Sequence, residues 1–314
     1  MKTVHVGEGP RAVEVLKVLK THPRTVVSGR VTRAGGDATV PSHANLRSAL
    51  EADAADFIVF SGEFDAPDLA TARASRLPTF IADMASPSKA TLRELATTSG
   101  MGNASVFLGA GPAYSRARPA LAAFLAGGRL GSIGHLSVDD GEAAVSRAMD
   151  GARHWLHRGG ALLAEACELL GTTAVDVMGR IDESNRVSEA YVATGTGVHV
   201  HYSARWNATV DSHCTWLEGT GGSLRVDSRA VWWRKRGWRF FVPVHLGGVS
   251  CAAGLAESWS RVVAATEAKP SGRDDRASLA IVAAALQSSA SRRPVAAAGT
   301  EDALSARTAQ GAGR

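Results

Sequence analysis

Three small residues near the start of the chain have types and a spacing that could hold a diphosphate. They are Gly7, Gly9 and Ala12, with Pro10 and Arg11 between the last two. In a turn from a strand into a helix, the first glycine permits a tight bend, the second lets the backbone approach a pyrophosphate, and a small third residue lets helix and strand pack. The positive end of the helix then faces the phosphates. The spacing therefore predicts that these five residues bind a dinucleotide cofactor.

The end of the second strand-like segment bears on which cofactor would bind. NAD sites usually carry a carboxylate there for the ribose hydroxyls, but this segment continues into Thr32 and Arg33, with Arg30 just before. A guanidinium pairs well with a phosphate. We therefore expect NADP, held by Thr32 and Arg33 and by Ser61 after a later strand, with NAD as the alternative. Solvated surface arginines are the plainer interpretation.

The elements around this turn alternate between strand and helix. Four-residue apolar runs such as 57–60 are typical of parallel strands buried on both faces, and the segments between them have the three-to-four apolar spacing of helices. The rhythm continues to about residue 110 and predicts a doubly wound parallel sheet, a Rossmann domain over residues 1–112.

The pattern changes in the second half of the chain. Six strand-like segments follow one another between residues 174 and 234 without helices, which predicts an open, largely antiparallel sheet. Helices are expected at 255–267 and 276–288. We predict an α/β domain for substrate binding and oligomerisation over 113–295, followed by a disordered tail over 296–314. The fold class is α/β.

Composition excludes several classes of protein. The chain has 314 residues, 45% of them hydrophobic, a formal net charge of +5 and three widely spaced cysteines. This composition fits a reducing cytoplasm. No apolar run is long enough for a membrane helix, and we expect no secretory leader. The aromatic and basic segment 232–239 could bind single-stranded nucleic acid, but a β-hairpin is the favoured interpretation. We expect no membrane and no nucleic-acid partner.

Several segments in order resemble one known family. They are the glycine turn, Leu125 to Gly134 (LAGGRLGSIG), Gly159 to Leu163 (GGALL), Glu218 to Asp227 (EGTGGSLRVD) and Ile281 to Val295. Together they resemble the glucose–fructose oxidoreductase / inositol dehydrogenase / MocA family over residues 4–295. The resemblance implies a Rossmann domain followed by an open-sheet domain, an active site between them and homo-oligomers formed through that sheet. It also implies NAD(P)-dependent oxidation or reduction of a small-molecule substrate.

The family's acid–base motifs are altered in this chain. Its Glu-Lys-Pro falls on Asp83, Met84 and Ala85, so a methionine replaces the proton-donating lysine. Its Asp-x-x-x-His ends on Glu168. We expect Glu168, assisted by Asp83 or Glu165, to transfer protons if burial raises the pKa of its carboxyl. A catalytically silent relative that acts as a subunit or scaffold is the alternative.

Histidines supply the remaining candidates. His154, Trp155 and His157 precede the GGALL segment, near the cleft that the resemblance implies, and are predicted to contact the substrate. His199 and His201 lie on one face of a strand, where the resemblance places a subunit interface. Imidazoles can bind zinc, but the cysteine spacing matches no structural zinc pattern. No metal site is predicted.

Overall fold

The computed structural model describes residues 1–32, 39–82, 91, 105–109, 118–143, 150–208, 212–227, 230–244, 255–267 and 276–297. The chain divides into two compact units. The first comprises Met1–Gly111 with Ala253–Leu279, and the second comprises Pro112–Ala252 with Ala280–Arg314.

The first unit contains a six-stranded parallel sheet. Its strands are β1 (Lys2–Val6), β2 (Val26–Val31), β3 (Ser42–His43), β4 (Phe57–Phe60), β5 (Thr79–Ile81) and β6 (Val106–Leu108). The strand order is β3-β2-β1-β4-β5-β6, and every adjacent pair is parallel. This is the order of dinucleotide-binding domains, and it confirms the predicted doubly wound parallel sheet.

Local sequence explains where three helices of this unit begin. They are α1 (Pro10–Thr21), α2 (Leu46–Ala52) and α3 (Ala66–Ser75). Pro10 occupies the first turn of α1, where its missing N–H would have no helical partner. Asn45 and Asp65 cap α2 and α3 by accepting backbone N–H groups with their side chains. Each helix therefore begins where the sequence places a suitable residue.

A helix distant in sequence completes the core of the first unit. It is α7 (Leu255–Glu267), whose Trp259 is fully buried with its ring centroid 5.4 Å from that of Phe57 and 5.5 Å from that of Phe80. The Trp259 indole N–H donates to Thr25 Oγ1 (2.9 Å). The sequence analysis placed this helix in the second domain. Its packing belongs to the first unit, because the apolar strands β4 and β5 bury its tryptophan.

The second unit contains a nine-stranded sheet. Its strands are β7 (Ile133–Ala143), β8 (Ala174–Asp182), β9 (Val187–Thr194), β10 (His199–Ala208), β11 (Ser212–Gly219), β12 (Gly222–Asp227), β13 (Val231–Lys235), β14 (Val242–Val244) and β15 (Val295–Ala296). The order is β14-β13-β12-β11-β7-β10-β9-β8-β15. Only β7 and β10 among these neighbours are parallel. The predicted open, largely antiparallel sheet is confirmed.

Helices cover one face of this sheet. They are α4 (Arg118–Ala126), α5 (Gly151–His154), α6 (Gly160–Leu169) and α8 (Arg276–Ser291), and a π-helical turn (Trp155–Gly159) joins α5 to α6. Gly179 of β8 lies directly against α8, since an added Cβ would be 2.5 Å from the Ala285 carbonyl oxygen. Gly159 ends the π-turn against the ring of Trp155, 2.7 Å from an added Cβ. Only glycine fits these two close approaches.

The last described residues are ordered. Val295 and Ala296 form β15 beside β8, and the Ala297 N–H donates to the Val175 carbonyl (2.8 Å). The predicted tail therefore begins too early at Ala296, because this short edge strand is hydrogen-bonded to the sheet. Residues 298–314 lie outside the described residues.

Candidate functional site

The glycine turn between β1 and α1 has the backbone that its sequence predicts. Gly7 has a φ of 139° and Gly9 a φ of 89°, both in the region that favours glycine. A Cβ added to Gly7 would lie 1.6 Å from the carbonyl oxygen of Ser61, whereas a Cβ added to Gly9 would meet nothing within 4 Å. Ala12 is fully buried against the sheet. Gly7 thus permits the tight bend, and Gly9 leaves its side of the backbone open.

Backbone hydrogen bonds join the turn to the ends of two neighbouring strands. Glu8 N–H donates to the Glu63 carbonyl and Glu63 N–H donates to the Glu8 carbonyl, both at 3.1 Å. Gly7 N–H donates to the carbonyl of Val31 at the end of β2 (3.3 Å). Gly62, with a φ of 64°, allows this approach, because a Cβ there would lie 2.0 Å from the Glu8 carbonyl oxygen. The turn is therefore held in place before any ligand binds.

A cleft of about 330 Å³ opens beside the turn, at the carboxyl ends of β1 to β4. It is lined by Val6, Gly7, Glu8, Val31, Thr32, Ala44, Glu63, Phe64, Asp65 and Asp68. Its volume is at the lower end of the range for small-molecule sites. Open sheets of this class bind ligands at this edge, beside the first strand.

The turn and cleft fit a dinucleotide cofactor. Gly9 precedes the first turn of α1 and has no side chain to cap the helix, so the positive helix end is open to a phosphate. Thr32 lines the cleft at the end of β2, where an adenosine ribose would lie. A nicotinamide cofactor held here would supply hydride chemistry. The side chain of Arg11 is paired with Glu14, one turn further along α1.

Two arginines near the end of β2 were candidates for binding a 2′-phosphate. Arg33 lies outside the described residues. Arg30 is buried and register-paired with His5, on the sheet face opposite that of its cleft-lining neighbour Val31. Arg30 is not among the described residues that line the cleft.

Ser61 lies directly against the glycine turn. It is fully buried, and its Oγ lies 2.7 Å from Nε2 of His5. Burial, with a smaller contribution from the Arg30 charge, lowers the pKa of His5 from 6.5 to about 3. The imidazole is therefore neutral at physiological pH. The side chain of Ser61 is not among the lining of the cleft, and its carbonyl lies against Gly7 instead.

The predicted acid–base residues lie in different surroundings. Asp83 is outside the described residues. Glu165 and Glu168 both lie on α6, but Glu165 is fully buried and Glu168 is exposed. The burial that was expected to raise the pKa of Glu168 is not observed, because this residue is on the outer face of the helix. Of the two, only Glu165 is shielded from solvent within its unit.

The predicted substrate residues lie in the core of the second unit. His154 and Trp155 are both fully buried. The His154 ring stacks 5.8 Å from that of Trp206, and the Trp155 ring lies 5.0 Å from that of Tyr202, measured between centroids. The side chain of His157 lies outside the described residues. Direct contact of His154 or Trp155 with a substrate would require this packing to open.

A buried cluster centred on Asp140, absent from the sequence predictions, includes His154. The side chain of Asp140 is fully buried, and its Oδ1 accepts from Arg158 Nη2 (2.7 Å) and lies 3.3 Å from His213 Nδ1. His154 Nε2 is 3.9 Å from its Oδ2. The hydrogen bond from His213 and the positive charge of Arg158 outweigh the effect of burial and lower the pKa of the Asp140 carboxyl.

One sequence signal could have indicated this cluster. Leu136, Val138 and Asp140 alternate along β7 on the buried face, so a carboxylate stands where an apolar residue is expected. Nothing in the sequence shows that His213 lies opposite, since 73 residues separate the two.

Comparisons with solved structures agree with the fold described above. Similar structures include an oxidoreductase from Agrobacterium radiobacter in complex with NAD+, L-tartaric acid and magnesium (15% identity, TM-score 0.69, covering 94% of this chain and 98% of that chain). GenD2 from gentamicin A biosynthesis, in complex with NAD, is another (16% identity, TM-score 0.65, 94% and 95%). A third is a candidate NADPH-dependent oxidoreductase from Desulfitobacterium hafniense (13% identity, TM-score 0.66, 95% and 97%). At these identities the likeness establishes the fold. No family model and no curated protein matches the chain.

No helix in the described part of the chain is long and apolar enough to cross a membrane. Within that same part, no group of three or more His, Cys, Asp and Glu side chains is placed to hold a metal ion.

Proposed function

We propose that the protein is an NAD(P)-dependent oxidoreductase of the glucose–fructose oxidoreductase / inositol dehydrogenase / MocA type, acting on a small molecule. The observation that carries this proposal is the glycine turn, which bends at Gly7, leaves Gly9 open and borders a cleft at the carboxyl edge of the sheet. The names of the similar structures support it, because they include oxidoreductases bound to NAD and one described by NADPH dependence.

NADP is the proposed cofactor. The support is the lack of a carboxylate at the end of β2, where Thr32 lines the cleft and Arg33 follows it in sequence. Titration calorimetry with NADP(H) and NAD(H) tests this, and Arg33→Ala is expected to weaken NADP binding without affecting NAD. Equal affinities for both cofactors in the parent protein would contradict the preference.

Gly9 provides the direct test of the cofactor site. A Gly9→Val side chain would project into the space left open for the phosphates, so the variant is expected to lose cofactor binding. Gly128→Val is the matched control, because Gly128 also has a positive φ (68°) and open surroundings but lies in the second unit. Unchanged binding in Gly9→Val would remove the support for this site.

We propose that one of three carboxylates transfers the proton: Glu165, Glu168 or Asp83. Glu168→Gln and Glu165→Gln test the first two once a substrate is found by screening reducible small molecules. A fall in turnover with an altered pH profile would assign the role, and unchanged turnover in a variant would exclude that residue.

A catalytically silent subunit or scaffold is the second candidate. The observations that favour it are the methionine at position 84, the exposure of Glu168 and the burial of His154 and Trp155. Absence of binding by either cofactor at millimolar concentration would select this candidate.

The partner most consistent with the second unit is another copy of this chain. A single row of side chains crosses the sheet face opposite the helices, and consecutive members are register partners: Met178, Tyr191, His201, Ser137, Trp216, Arg225 and Trp232. Tyr191 and Met178 are about half exposed.

The rows on either side of these residues carry charges of both signs. One contains Arg180, Glu189, Asp139 and Asp227, and the other contains Asp176, Glu218 and Arg234. An aromatic centre with a mixed polar rim is typical of subunit interfaces. A two-fold axis would place the same row of each protomer together. We propose a homo-oligomer formed through this face, and we retain the cytoplasmic location that the cysteine pattern predicts.

A further inference from the structure

A buried hydrogen bond joins β1 to the residue that follows β4. His5 and Ser61 are both fully buried, and Nε2 of the imidazole lies 2.7 Å from Oγ of the serine. The neighbours of His5 on β1, Val4 and Val6, are buried and apolar, as is usual in a parallel sheet covered on both faces. An apolar side chain would be at least as stable at position 5, because the bond has to offset the desolvation of both polar groups. Packing alone therefore does not account for this histidine.

The backbone of Ser61 contacts the glycine turn at two points. Its N–H donates to the carbonyl of Val6 (3.0 Å), the last residue of β1. Its carbonyl oxygen lies only 1.6 Å from the place where a Cβ of Gly7 would stand. A shift of Ser61 would therefore move Val6 and Gly7, and with them Gly9, which follows two positions later at the start of α1.

The hydroxyl of Ser61 is well placed to prevent such a shift. Because Oγ is bonded directly to Cβ, an Oγ held by His5 fixes the side-chain rotamer and restrains the backbone next to Gly7. Groups that bind a ligand have to be held within about 0.5 Å of their productive positions by the residues behind them. His5 does not line the cleft, so any effect it has on a ligand passes through the turn.

We propose that the hydrogen bond between His5 and Ser61 positions the glycine turn for the cofactor. The inference rests on the proposed function. Both residues are then positioning residues, which raise cofactor affinity without touching the cofactor. This role accounts for Ser61, which was expected to bind the cofactor although its side chain is not among the lining of the cleft. Because the pKa of His5 is lowered to about 3, the bond joins two neutral groups at physiological pH.

Calorimetric titration of the full chain with NADPH and NADH tests this inference. His5→Phe and Ser61→Ala each remove the bond, and each is expected to weaken the affinity for the cofactor that the parent protein binds by about fivefold. The double variant should bind no more weakly than the single variants, because all three lack the same bond. His5→Gln should restore most of the affinity, since its amide can still hydrogen-bond with Ser61.

Thr3→Val is the matched control. Thr3 is also fully buried on β1, and its Oγ1 donates to the carbonyl of Val26 (3.2 Å). The substitution removes a buried hydrogen bond from the same strand, but at the end away from the glycine turn. It is expected to lower the free energy of unfolding in urea and to leave cofactor affinity unchanged.

The outcomes separate this inference from the proposed function. If the parent protein binds a cofactor and Ser61→Ala binds it equally well, the inference is overturned and the oxidoreductase proposal stands. An equal loss of affinity in Thr3→Val would also overturn it, because general destabilisation would then explain the effect. If the parent protein binds neither cofactor, the proposed function fails and the inference fails with it. Ser61→Ala adds no volume to the core, so it keeps the test decisive even if His5→Phe does not fold.

Discussion

Protonation of His5 should be coupled to folding. Its folded-state pKa is about 3, against 6.5 for a free imidazole. Below pH 6.5 the unfolded chain takes up a proton that the folded chain does not. The free energy of unfolding therefore decreases by up to about 1.4 kcal/mol for each unit by which the pH is lowered. From pH 7 to pH 5 this group should cost about 2 kcal/mol.

The His5→Gln variant tests this coupling. Glutamine does not titrate and can still hydrogen-bond with Ser61. Urea unfolding of both proteins at pH 7 and pH 5 should show a smaller loss of stability in the variant. Equal losses would mean that His5 does not remain neutral in the fold.

A methyl group added at Gly7 should strongly destabilise the fold. An alanine there would place its Cβ 1.6 Å from the Ser61 carbonyl oxygen, at a φ of 139°. We expect Gly7→Ala to lower the free energy of unfolding by roughly 2–4 kcal/mol. Gly128→Ala, which has a positive φ but open surroundings, should cost only about 1 kcal/mol. Equal losses in urea unfolding would show that backbone strain alone accounts for the effect.

At the scale of elements, α7 packs on the first unit through Trp259, with Val262 and Val263 in the same buried cluster. Trp259 packs against Phe57 and Phe80 and is hydrogen-bonded to Thr25. Trp259→Ala should therefore cost about 3–5 kcal/mol in denaturant unfolding, from the lost burial and the cavity that remains. Trp259→Phe retains an aromatic ring and should cost less. A loss below 1 kcal/mol for the alanine variant would contradict this packing.

Asp140 connects β7 to the π-turn and β11. Asp140→Ala would leave Arg158 without its 2.7 Å carboxylate partner and should destabilise the protein by about 3 kcal/mol at pH 7. The pKa of Asp140 is lowered in the fold, so its contribution is present above about pH 4 and is lost as the pH falls below that value.

Asp139→Ala is the control for Asp140, since it removes an exposed carboxylate from the next position of the same strand. Urea unfolding at pH 7 should show little change for this variant. If both alanine variants lose the same stability, the cluster contributes nothing of its own.

At the scale of the whole molecule, the row of side chains from Met178 to Trp232 on the open face of the second sheet predicts self-association. Analytical ultracentrifugation should show a dimer or larger assembly for the parent chain, and Tyr191→Glu should dissociate it because a charge would be buried at the centre of the contact. Val13→Glu is the control, as Val13 is equally exposed but lies on α1 in the first unit. A monomeric parent chain at micromolar concentration would rule out this interface.

Much of the fold could be predicted from the sequence because its signals are local. The glycine spacing, the apolar run of β4 and the cap of α3 all act within one turn or one strand. The bounds of α7 agree with the prediction for the same reason. The candidate site was less predictable, because its character depends on the direction in which each side chain points.

The sequence by itself determined the order of elements, the class of both sheets and the position of a glycine turn, because hydrophobic period and backbone preference are properties of neighbouring residues. Only the tertiary structure decided that Arg30 is buried, that Glu168 is exposed, and that Asp140 meets Arg158 and His213. Only it brought Glu63 opposite Glu8. These contacts join residues far apart in the chain, and their geometry depends on strand register and on packing between elements, which no local pattern records.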